Sequence, residues 1–250
     1  MSNITVLCPC AGLGSRFAQS GYKLPKPLID CYGKPMIARV IENFTSIEHT
    51  INFIFLVQYS HDYHYDISNE LLKWMPPNSN IEVVHVYGMT EGACCTALLA
   101  EKYINKEPLV IANSDQYMKG FDFDNYWRWF SYNPSDINIP TFYSQHPKWS
   151  YCGLDSSGFV EKIVEKEVIS SNATVGVYAF KNGQDFLHCA KQMIAEDFRV
   201  KNEYYLAPSI NFALPISKVS IYNIEDYGIT MMSCGTPEDL ENTIKELSLG

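Results

Sequence analysis

The first half of the chain alternates short apolar runs with segments whose apolar residues recur at helical spacing. The apolar runs predict strands at residues 4–8, 51–57, 81–86 and 108–112. Helical spacing and helix-start residues predict helices at residues 34–49, 61–74 and 91–104, the last with Thr90 as its N-cap. The run at 51–57 is almost continuously apolar, which is typical of a strand buried on both faces. This alternation of strands and helices predicts a parallel sheet covered by helices.

The second half of the chain is less regular. Its apolar segments predict strands at residues 136–143, 151–165, 174–180 and 217–223, and a helix at residues 183–196. Residues 155–158, Asp-Ser-Ser-Gly, predict a turn within the second of these strands. Thr236, Pro237 and two acidic residues predict the start of a C-terminal helix, because a hydroxyl N-cap, a proline and first-turn carboxylates all favour one. We find no repeat and no linker, and expect residues 1–250 to form one domain with two lobes.

The composition is that of an ordinary globular protein with an acidic balance. Of 250 residues, 46% are hydrophobic and 14% are aromatic, and the formal net charge is −9. Binding to nucleic acid or to an anionic membrane needs a basic face, so we expect neither partner. The sequence has no apolar run of 18 residues and no signal peptide, which predicts a cytoplasmic protein without a membrane span. The eight cysteines lack zinc-site spacing and are expected to be reduced thiols.

A glycine-rich turn directly follows the first predicted strand. Residues 10–17 read Cys-Ala-Gly-Leu-Gly-Ser-Arg-Phe. Glycines let the backbone approach a ligand, and consecutive N–H groups form a cradle for an anion. The turn departs from a dinucleotide-binding fingerprint at Phe17, and it lacks the Gly-Lys-Ser/Thr ending of a P-loop. Taken alone, this segment leaves two interpretations open, a phosphate cradle and a simple tight turn.

Two further motifs follow the glycine turn. Residues 23–29 read Lys-Leu-Pro-Lys-Pro-Leu-Ile, and residues 33–37 read Gly-Lys-Pro-Met-Ile. The series A-G-x-G-S-R-F, P-K-P-L and G-K-P-M-I resembles the signature of the nucleotidylyltransferase family, whose best-known members are the sugar-1-phosphate nucleotidylyltransferases, or NDP-sugar pyrophosphorylases. The resemblance extends to Gly-Thr-Pro-Glu-Asp-Leu at residues 235–240. Residues 202–208 are similar to a short, capsule-associated branch of that family.

The resemblance implies a fold, a reaction and a set of partners. The expected fold is α/β, a Rossmann-like three-layer α/β/α arrangement of a mixed, mostly parallel sheet with a small acceptor-binding lobe. Residues 1–120 would form the nucleotide-binding half, and residues 121–250 the acceptor-binding half with the C-terminal helix. The expected reaction joins an NTP and a phosphorylated small metabolite, releases pyrophosphate, and uses Mg²⁺ or Mn²⁺ as cofactor. CTP or dTTP, then UTP, are the expected nucleotides, surface-polysaccharide precursor synthesis is the expected role, and a homo-oligomer is compatible with the family.

The resemblance also assigns site residues, motif by motif. Arg16 matches the arginine that contacts the β- and γ-phosphates, and Lys26 matches the lysine that stabilises charge at the α-phosphate. Asp115 matches the metal ligand. These three are the expected catalytic residues, and Lys23 is interpreted as a solvated neighbour. Nucleotide binding is expected at Ala11, Gly12, Gly14, Ser15, Glu91, Gly92 and Ala93, and acceptor binding at Gly153, Glu165, Lys166 and Asn172.

One position departs from the pattern of the sugar-1-phosphate enzymes. Those enzymes carry a metal-binding aspartate two residues before the glycine of G-T-P-E-D-L, where this chain has Ser233. A hydroxyl is a poor replacement for a carboxylate on Mg²⁺. Either Asp115 holds the metal with phosphates and water, or Glu225 or Asp226 supplies the second carboxylate. The departure is compatible with an acceptor other than a hexose-1-phosphate.

Three alternatives stay open on the sequence. The acceptor is a hexose-1-phosphate or a non-sugar phosphate, such as a phosphorylated amino acid amide, a polyol phosphate or an amino-alcohol phosphate, which a cytidylyltransferase would use. A nucleotide-sugar glycosyltransferase would carry a D-x-D metal motif, where this chain has Asn113-Ser114-Asp115. An inactive homologue that only binds a nucleotide would explain Ser233, but not the charged residues of the other motifs.

Overall fold

The computed structural model describes residues 3–249, which form a ten-stranded mixed sheet, a two-stranded sheet and the helices around them. The strands in this part of the chain are Asn3–Pro9 (β1), Thr50–Gln58 (β2), Ser79–Val86 (β3), Leu109–Ala112 (β4), Gln116–Lys119 (β5), Ile137–Tyr143 (β6), Ser150–Leu154 (β7), Val160–Glu165 (β8), Asn172–Thr174 (β9), Val177–Phe180 (β10), Val219–Asn223 (β11) and Thr230–Ser233 (β12). The α-helices are Ser15–Gln19 (α1), Met36–Glu42 (α2), Tyr59–Tyr65 (α3), Ile67–Leu72 (α4), Ala93–Leu98 (α5), Phe123–Tyr132 (α6), Gly183–Ala195 (α7), Leu206–Ser209 (α8) and Pro237–Ser248 (α9), with short 3₁₀ helices at Lys26–Leu28, Glu101–Tyr103, Ile210–Phe212 and Ile224–Tyr227. Among residues 3–249, no helix combines the length and the apolar character that crossing a membrane requires.

The large sheet combines a parallel part with an antiparallel part. β3, β2, β1 and β4 lie side by side and are parallel. β10 continues the sheet antiparallel to β4, and β10 and β9 both pair with β6. β11 pairs parallel to β6, and the β7–β8 hairpin joins the sheet through β9. The mixed α/β sheet that the sequence predicts is therefore confirmed.

Alternate side chains of the parallel strands pack into two apolar layers, one on each face of the sheet. In β1, Ile4, Val6 and Cys8 pack in the layer that includes α2, α4 and α6, whereas Leu7 packs in the layer that includes α5 and α7. Neighbouring β2 divides its side chains in the same way, which explains why residues 51–57 are almost continuously apolar. The three-layer arrangement follows from this alternation.

The helix predicted at residues 34–49 is shorter in the structure, because α2 ends at Glu42. The side chain of Asn43 makes two 2.9 Å hydrogen bonds with the backbone of β5, one as donor and one as acceptor. These bonds tie the chain to the two-stranded sheet. The apolar residues that follow, such as the buried Phe44, pack as a loop.

The other two helices predicted in the first half are present in part, and each is interrupted or shortened at a residue with a left-handed backbone. Asp66, with a φ of +54°, divides the helix predicted at residues 61–74 into α3 and α4. Gly92, with a φ of +135°, is not helical, so the helix predicted at residues 91–104 begins only at Ala93. In place of one continuous helix, the structure has α5 followed by a 3₁₀ turn. Thr90 is not its N-cap, since the Thr90 hydroxyl instead donates to the carbonyl of Gly92 at 3.1 Å.

The second half confirms most predicted strands and contains elements that the sequence analysis missed. The strand predicted at residues 174–180 is divided into β9 and β10 at Gly176, whose φ is +85°. α6 was not predicted, although Asp122 caps it by accepting a 3.0 Å hydrogen bond from the backbone of Asn125, and its aromatic residues recur at helical spacing. The pairing of β5 with β12 was also missed, because each strand is only four residues long.

The C-terminal helix begins where the sequence predicts. The side chain of Thr236 accepts a 3.1 Å hydrogen bond from the backbone of Asp239, and Pro237 is the first helical residue. On its apolar side, Leu240 packs with Phe17 and Met36. α9 therefore covers the segment that carries the first three motifs.

Candidate active site

A polar cleft opens where β1 and β4 end. It has two adjoining compartments, which we name by what lines them. The loop compartment lies against the glycine turn at residues 10–17 and has a volume of about 450 Å³. The lobe compartment lies against the strands of the second half and has a volume of about 340 Å³. Of residues 3–249, five line both compartments and so mark their boundary: Arg16, Lys26, Lys166, Tyr205 and Gly235. Three positively charged side chains therefore stand between the two compartments.

The glycine turn brings the Lys26 segment close to the end of β1. Gly14 adopts a φ of +63° just before α1. A Cβ at Gly14 would lie 3.2 Å from the Cβ of Lys26, which leaves little room for any side chain. Glycine is thus favoured here both by the backbone conformation and by the close approach. Gly12 and Ser15 also line the loop compartment, whereas Ala11 is buried in the core.

Lys26 and Asp115 meet at the boundary of the two compartments. The Nζ of Lys26 lies 2.5 Å from Oδ2 of Asp115, and the two side chains are 18% and 20% exposed. Lys26 belongs to a 3₁₀ turn that begins after Pro25, and Asp115 follows the end of β4. The fold therefore joins two motifs that are 89 residues apart into one ion pair facing the cleft.

The guanidinium of Arg16 reaches the same boundary. Arg16 is exposed on α1, and within residues 3–249 it forms no ion pair and no side-chain hydrogen bond. An unpaired guanidinium in a polar cleft is available to bind an anion. Its planar arrangement of donors suits two oxygens of a phosphate or pyrophosphate.

Glu165 and Lys166 lie together on the lobe side of the boundary. The Nζ of Lys166 contacts the hydroxyl of Tyr205 and lies 3.8 Å from Oε1 of Glu165. The side chain of Glu165 is only 7% exposed and accepts a hydrogen bond from the hydroxyl of Ser150. Burial raises the pKa of Glu165, although the Ser150 hydrogen bond and the charge of Lys166 act in the opposite direction.

Glu165→Gln is expected to raise the melting temperature at neutral pH. Because burial raises the pKa of Glu165 in the folded state, ionising this carboxyl costs folding free energy as the pH rises through its ordinary pKa. The gain should therefore vanish once the pH falls below that ordinary value, where the carboxyl is protonated in both states. Thermal unfolding over a pH series measures it, with the exposed Glu161→Gln on the same strand as the control. A melting temperature unchanged at neutral pH would contradict the argument.

Two of the predicted acceptor-binding residues line neither compartment. Gly153 pairs with Lys162 in the β7–β8 hairpin, and Asn172 begins β9 opposite Tyr143. Other residues of the same two strands, Ser150 and Thr174, line the lobe compartment.

The lobe compartment also contains polar residues that the sequence analysis did not assign to the site. Gln116 is buried, and its Oε1 has no hydrogen-bond partner within the described residues. The Nζ of Lys148 lies 2.6 Å from Oδ1 of Asp239, an ion pair that links the lobe to α9. Gln116 had a sequence signal, since it directly follows Asp115. The other two residues meet only through the tertiary fold.

The Glu91–Gly92–Ala93 motif forms a joint with the segment around Tyr204. The backbone of Tyr204 donates to the carbonyl of Glu91 at 2.8 Å and accepts from the backbone of Cys94 at 3.0 Å. A Cβ at Gly92 would lie 2.4 Å from the carbonyl oxygen of Tyr204. The expected approach of a base to Gly92 therefore meets protein backbone, and among the three motif residues only Ala93 lines the cleft.

Gly92→Ala is expected to destabilise the protein strongly. A φ of +135° is strained for alanine, at about 1–3 kcal/mol, and the methyl group would also overlap the backbone of Tyr204. We expect the free energy of unfolding to fall by more than about 2 kcal/mol, measured by urea denaturation. Gly12→Ala is the matched control, because Gly12 has open space around its Cβ position. Equal stability of the two variants would show that the joint at Gly92 is not tight.

A sequence profile of the nucleotidyl transferase family matches residues 10–204, which is most of the chain. The chain belongs to this family. The bifunctional protein GlmU of Campylobacter hominis is 25% identical to it over 223 residues, covering 86% of this chain and 47% of GlmU. The chain therefore spans about half the length of this curated relative.

Solved structures of two other proteins share the fold of this nucleotidyl transferase. The nucleoside-diphosphate-sugar pyrophosphorylase from Vibrio cholerae RC9 is similar with a TM-score of 0.78 and 19% identity, over 96% of this chain and 99% of that one. The inositol-1-phosphate CTP transferase from T. maritima is similar with a TM-score of 0.72 and 15% identity, over 97% of this chain and 96% of that one. At these identities the likeness shows the fold alone.

Nucleotidyl transferases of this family generally use a divalent metal ion, and the cleft offers oxygen atoms that fit one. Mg²⁺ and Mn²⁺ prefer carboxylate and other hard oxygen ligands, and the carboxylate of Asp115 faces the cleft beside the hydroxyl of Ser233. The structure does not bring Asp226 to this place. Asp226 is exposed, lines neither compartment, and accepts a 3.1 Å hydrogen bond from the hydroxyl of Tyr143. Glu225 likewise accepts from the backbone of Tyr143.

A separate group of potential metal ligands lies far from the cleft. The side chains of Glu48, His49 and Asp124 come within 4.8 Å of one another. Glu48 and His49 immediately precede β2, so the group lies at the amino ends of the parallel strands, the edge opposite the cleft. Exposed acidic groups of this kind are common on protein surfaces, and this one plays no part in the site of the nucleotidyl transferase.

Proposed function

We propose that this nucleotidyl transferase joins an NTP to a phosphorylated small metabolite and releases pyrophosphate. The observation that carries the proposal is the boundary between the compartments, where Arg16, Lys26 and Lys166 converge. The triphosphate and the acceptor phosphate must meet at the reacting phosphorus, and both are anionic. A junction between two compartments that is lined by three cations suits such a meeting.

In this proposal the reaction proceeds in one step. A phosphate oxygen of the acceptor forms a bond to the α-phosphorus of the NTP, and the bond from that phosphorus to the bridging oxygen of pyrophosphate breaks. Lys26 stabilises the negative charge that develops at the α-phosphate, and Arg16 binds the departing pyrophosphate. Lys166 binds the acceptor phosphate, and Glu165 accepts hydrogen bonds from acceptor hydroxyl groups.

The divalent cation belongs to this proposal as a cofactor. Asp115 is the residue that would hold it, and the bound cation would neutralise part of the charge on the phosphates. Lys26, which is paired with Asp115 in the structure, would remain beside the phosphates as a second source of positive charge.

The substrates are proposed by class. CTP or dTTP are the first candidates, followed by UTP, and the acceptor is a sugar phosphate or a non-sugar phosphate. The choice of CTP and of a non-sugar phosphate is supported by the T. maritima neighbour of the same fold, which is described as an inositol-1-phosphate CTP transferase. A role in supplying surface-polysaccharide precursors is supported by the resemblance of residues 202–208 to the capsule-associated branch of the family.

A pyrophosphate-release screen tests the proposed function. Each NTP is paired with a panel of hexose-1-phosphates, polyol phosphates and amino-alcohol phosphates, and pyrophosphate is detected through pyrophosphatase and malachite green. We expect release that needs both an NTP and one class of acceptor, and reactions without acceptor control for simple hydrolysis. A glycosyltransferase would release a nucleoside diphosphate without pyrophosphate. Folded protein that releases no pyrophosphate from any pair would contradict the proposal.

A further inference from the structure

Gly235 opens a small space that three side-chain oxygens surround. A Cβ at Gly235 would lie 3.5 Å from Oδ2 of Asp239, 3.5 Å from Oγ of Ser233 and 3.6 Å from Oδ2 of Asp115. All four residues line the lobe compartment. Because residue 235 is glycine, no side-chain atom fills the point that these oxygens share. Two carboxylates, one of them that of the expected metal ligand Asp115, and a hydroxyl thus face one polar space.

The carboxylate of Asp239 is held in place by its own contacts. Its Oδ2 accepts a 2.8 Å hydrogen bond from the hydroxyl of Thr236, and its Oδ1 accepts from Nζ of Lys148 at 2.6 Å. Asp239 lies in the first turn of α9, so its backbone is fixed by the helix. An ionised carboxylate has about four lone-pair positions on its two oxygens, and these contacts use two of them. Oδ2 therefore keeps capacity for a further ligand on the side of Gly235.

We propose that Asp239 is the second carboxylate of the metal site and takes the place of the aspartate that is missing at Ser233. The inference rests on the proposed function, which places a divalent cation at Asp115. A divalent cation among phosphates gains from each added carboxylate, because opposite charges attract strongly at short distance. Asp226 is excluded by its position, whereas Asp239 shares the space at Gly235 with Asp115. The α9 start, rather than the end of β12, then supplies the second negative charge.

The two lysines next to these carboxylates fit the same arrangement. Lys26 is paired with Asp115 and Lys148 is paired with Asp239, so each carboxylate already has a cationic neighbour. Two carboxylates facing one space would otherwise repel each other. The pairs compensate that repulsion in the protein without metal.

Direct measurement of Mn²⁺ binding tests the proposal without relying on turnover. The full chain is titrated with Mn²⁺ in the absence of acceptor, and free Mn²⁺ is measured by electron paramagnetic resonance. Asp239→Asn is expected to raise the dissociation constant at least about tenfold, a loss typical for residues that support a metal site. Glu238→Gln is the matched control, because Glu238 is an exposed acid in the same helical turn and lines neither compartment. Its dissociation constant should equal that of the wild type.

A second variant guards against a folding defect, since Asp239 also contacts Thr236 at the helix start. Gly235→Ala fills the shared space, and its contacts of 3.5–3.6 Å are ordinary van der Waals distances, so the fold should tolerate it. If Asp239→Asn does not unfold cooperatively, the proposal is tested with Gly235→Ala instead. The dissociation constant of this variant for Mn²⁺ should also rise at least about tenfold. Mn²⁺ binding within about twofold of the wild type in the deciding variant overturns the proposal.

The outcome for Asp115 separates this inference from the proposed function. If Asp115→Asn loses Mn²⁺ binding while Asp239→Asn keeps it, the inference is wrong and the proposed function stands. If the pyrophosphate screen is negative for every pair, the proposed function is wrong, whatever the Mn²⁺ titrations show.

Discussion

Lys26→Ala is expected to lower kcat by about 10²- to 10³-fold and to leave the protein folded. A fixed positive charge directed at the reacting phosphate acts in a cleft with restricted solvent, and removing one such group typically has an effect of this size. The backbone that presents Lys26 is fixed by Pro25 and Pro27 and by the close approach of Gly14. The truncated side chain should therefore remove the charge without moving the turn.

The effect of Lys26→Ala on stability should be small by comparison. The ion pair with Asp115 remains partly exposed, so its loss should change the free energy of unfolding on the order of 1 kcal/mol. In a chain of this length, that corresponds to a shift in melting temperature of roughly 2–4 °C. Lys23→Ala is the matched control, because Lys23 precedes the same proline-rich turn, is exposed and lines neither compartment. Turnover by Lys26→Ala within tenfold of the wild type would show that Lys26 does not act at the reacting phosphate.

The sequence predicts those parts of the site in which the residues of a short motif determine the local backbone conformation by themselves. Gly14 and the prolines around Lys26 restrict the backbone locally, so their positions follow from neighbouring residues. Asp115 follows a buried strand, and the carboxyl ends of parallel strands share one edge of the sheet. The meeting of Lys26 with Asp115 therefore needed only the predicted sheet and two local motifs.

The acceptor side was less predictable because its residues depend on strand register. The β7–β8 hairpin places Ser150 opposite Glu165 and Gly153 opposite Lys162. Strand register is set by pairing and turn geometry across the whole hairpin, and a shift of a few residues moves a side chain out of the cleft. Gly153 was assigned to acceptor binding by its match to a family position, whereas no motif in the sequence pointed to Ser150.

Glycine can also mark contact with protein rather than with a ligand. Gly92 resembles a glycine that faces a base, and its left-handed backbone is compatible with that interpretation. Its actual neighbour is the backbone of Tyr204, more than a hundred residues later in the chain. The same dependence on distant segments hides the contact between Lys148 and Asp239, which joins a loop of the lobe to the start of α9.

Asp115→Asn is expected to abolish metal-dependent turnover and to leave the fold intact. Asparagine keeps the size of the side chain and one acceptor oxygen, but it lacks the charge that holds a divalent cation. The backbone carbonyl of Asp115, which accepts a 2.7 Å hydrogen bond from Cys234, does not change with the substitution. Lys26 loses its ion-pair partner but still reaches the cleft, so the phosphates keep one of their cationic contacts.

Pyrophosphate release measured over a Mg²⁺ titration at one fixed NTP concentration tests this expectation. Asp226→Asn is the control, because Asp226 is a carboxylate outside both compartments and its substitution should leave the Mg²⁺ dependence unchanged. Circular dichroism spectra that superimpose would exclude unfolding as the cause of lost turnover. If Asp115→Asn keeps wild-type turnover, or if the wild type remains active in excess EDTA, the metal does not act at Asp115. In that case the Lys26–Asp115 pair is only a positioning contact for the lysine, and the phosphates depend on the three cations of the compartment boundary alone.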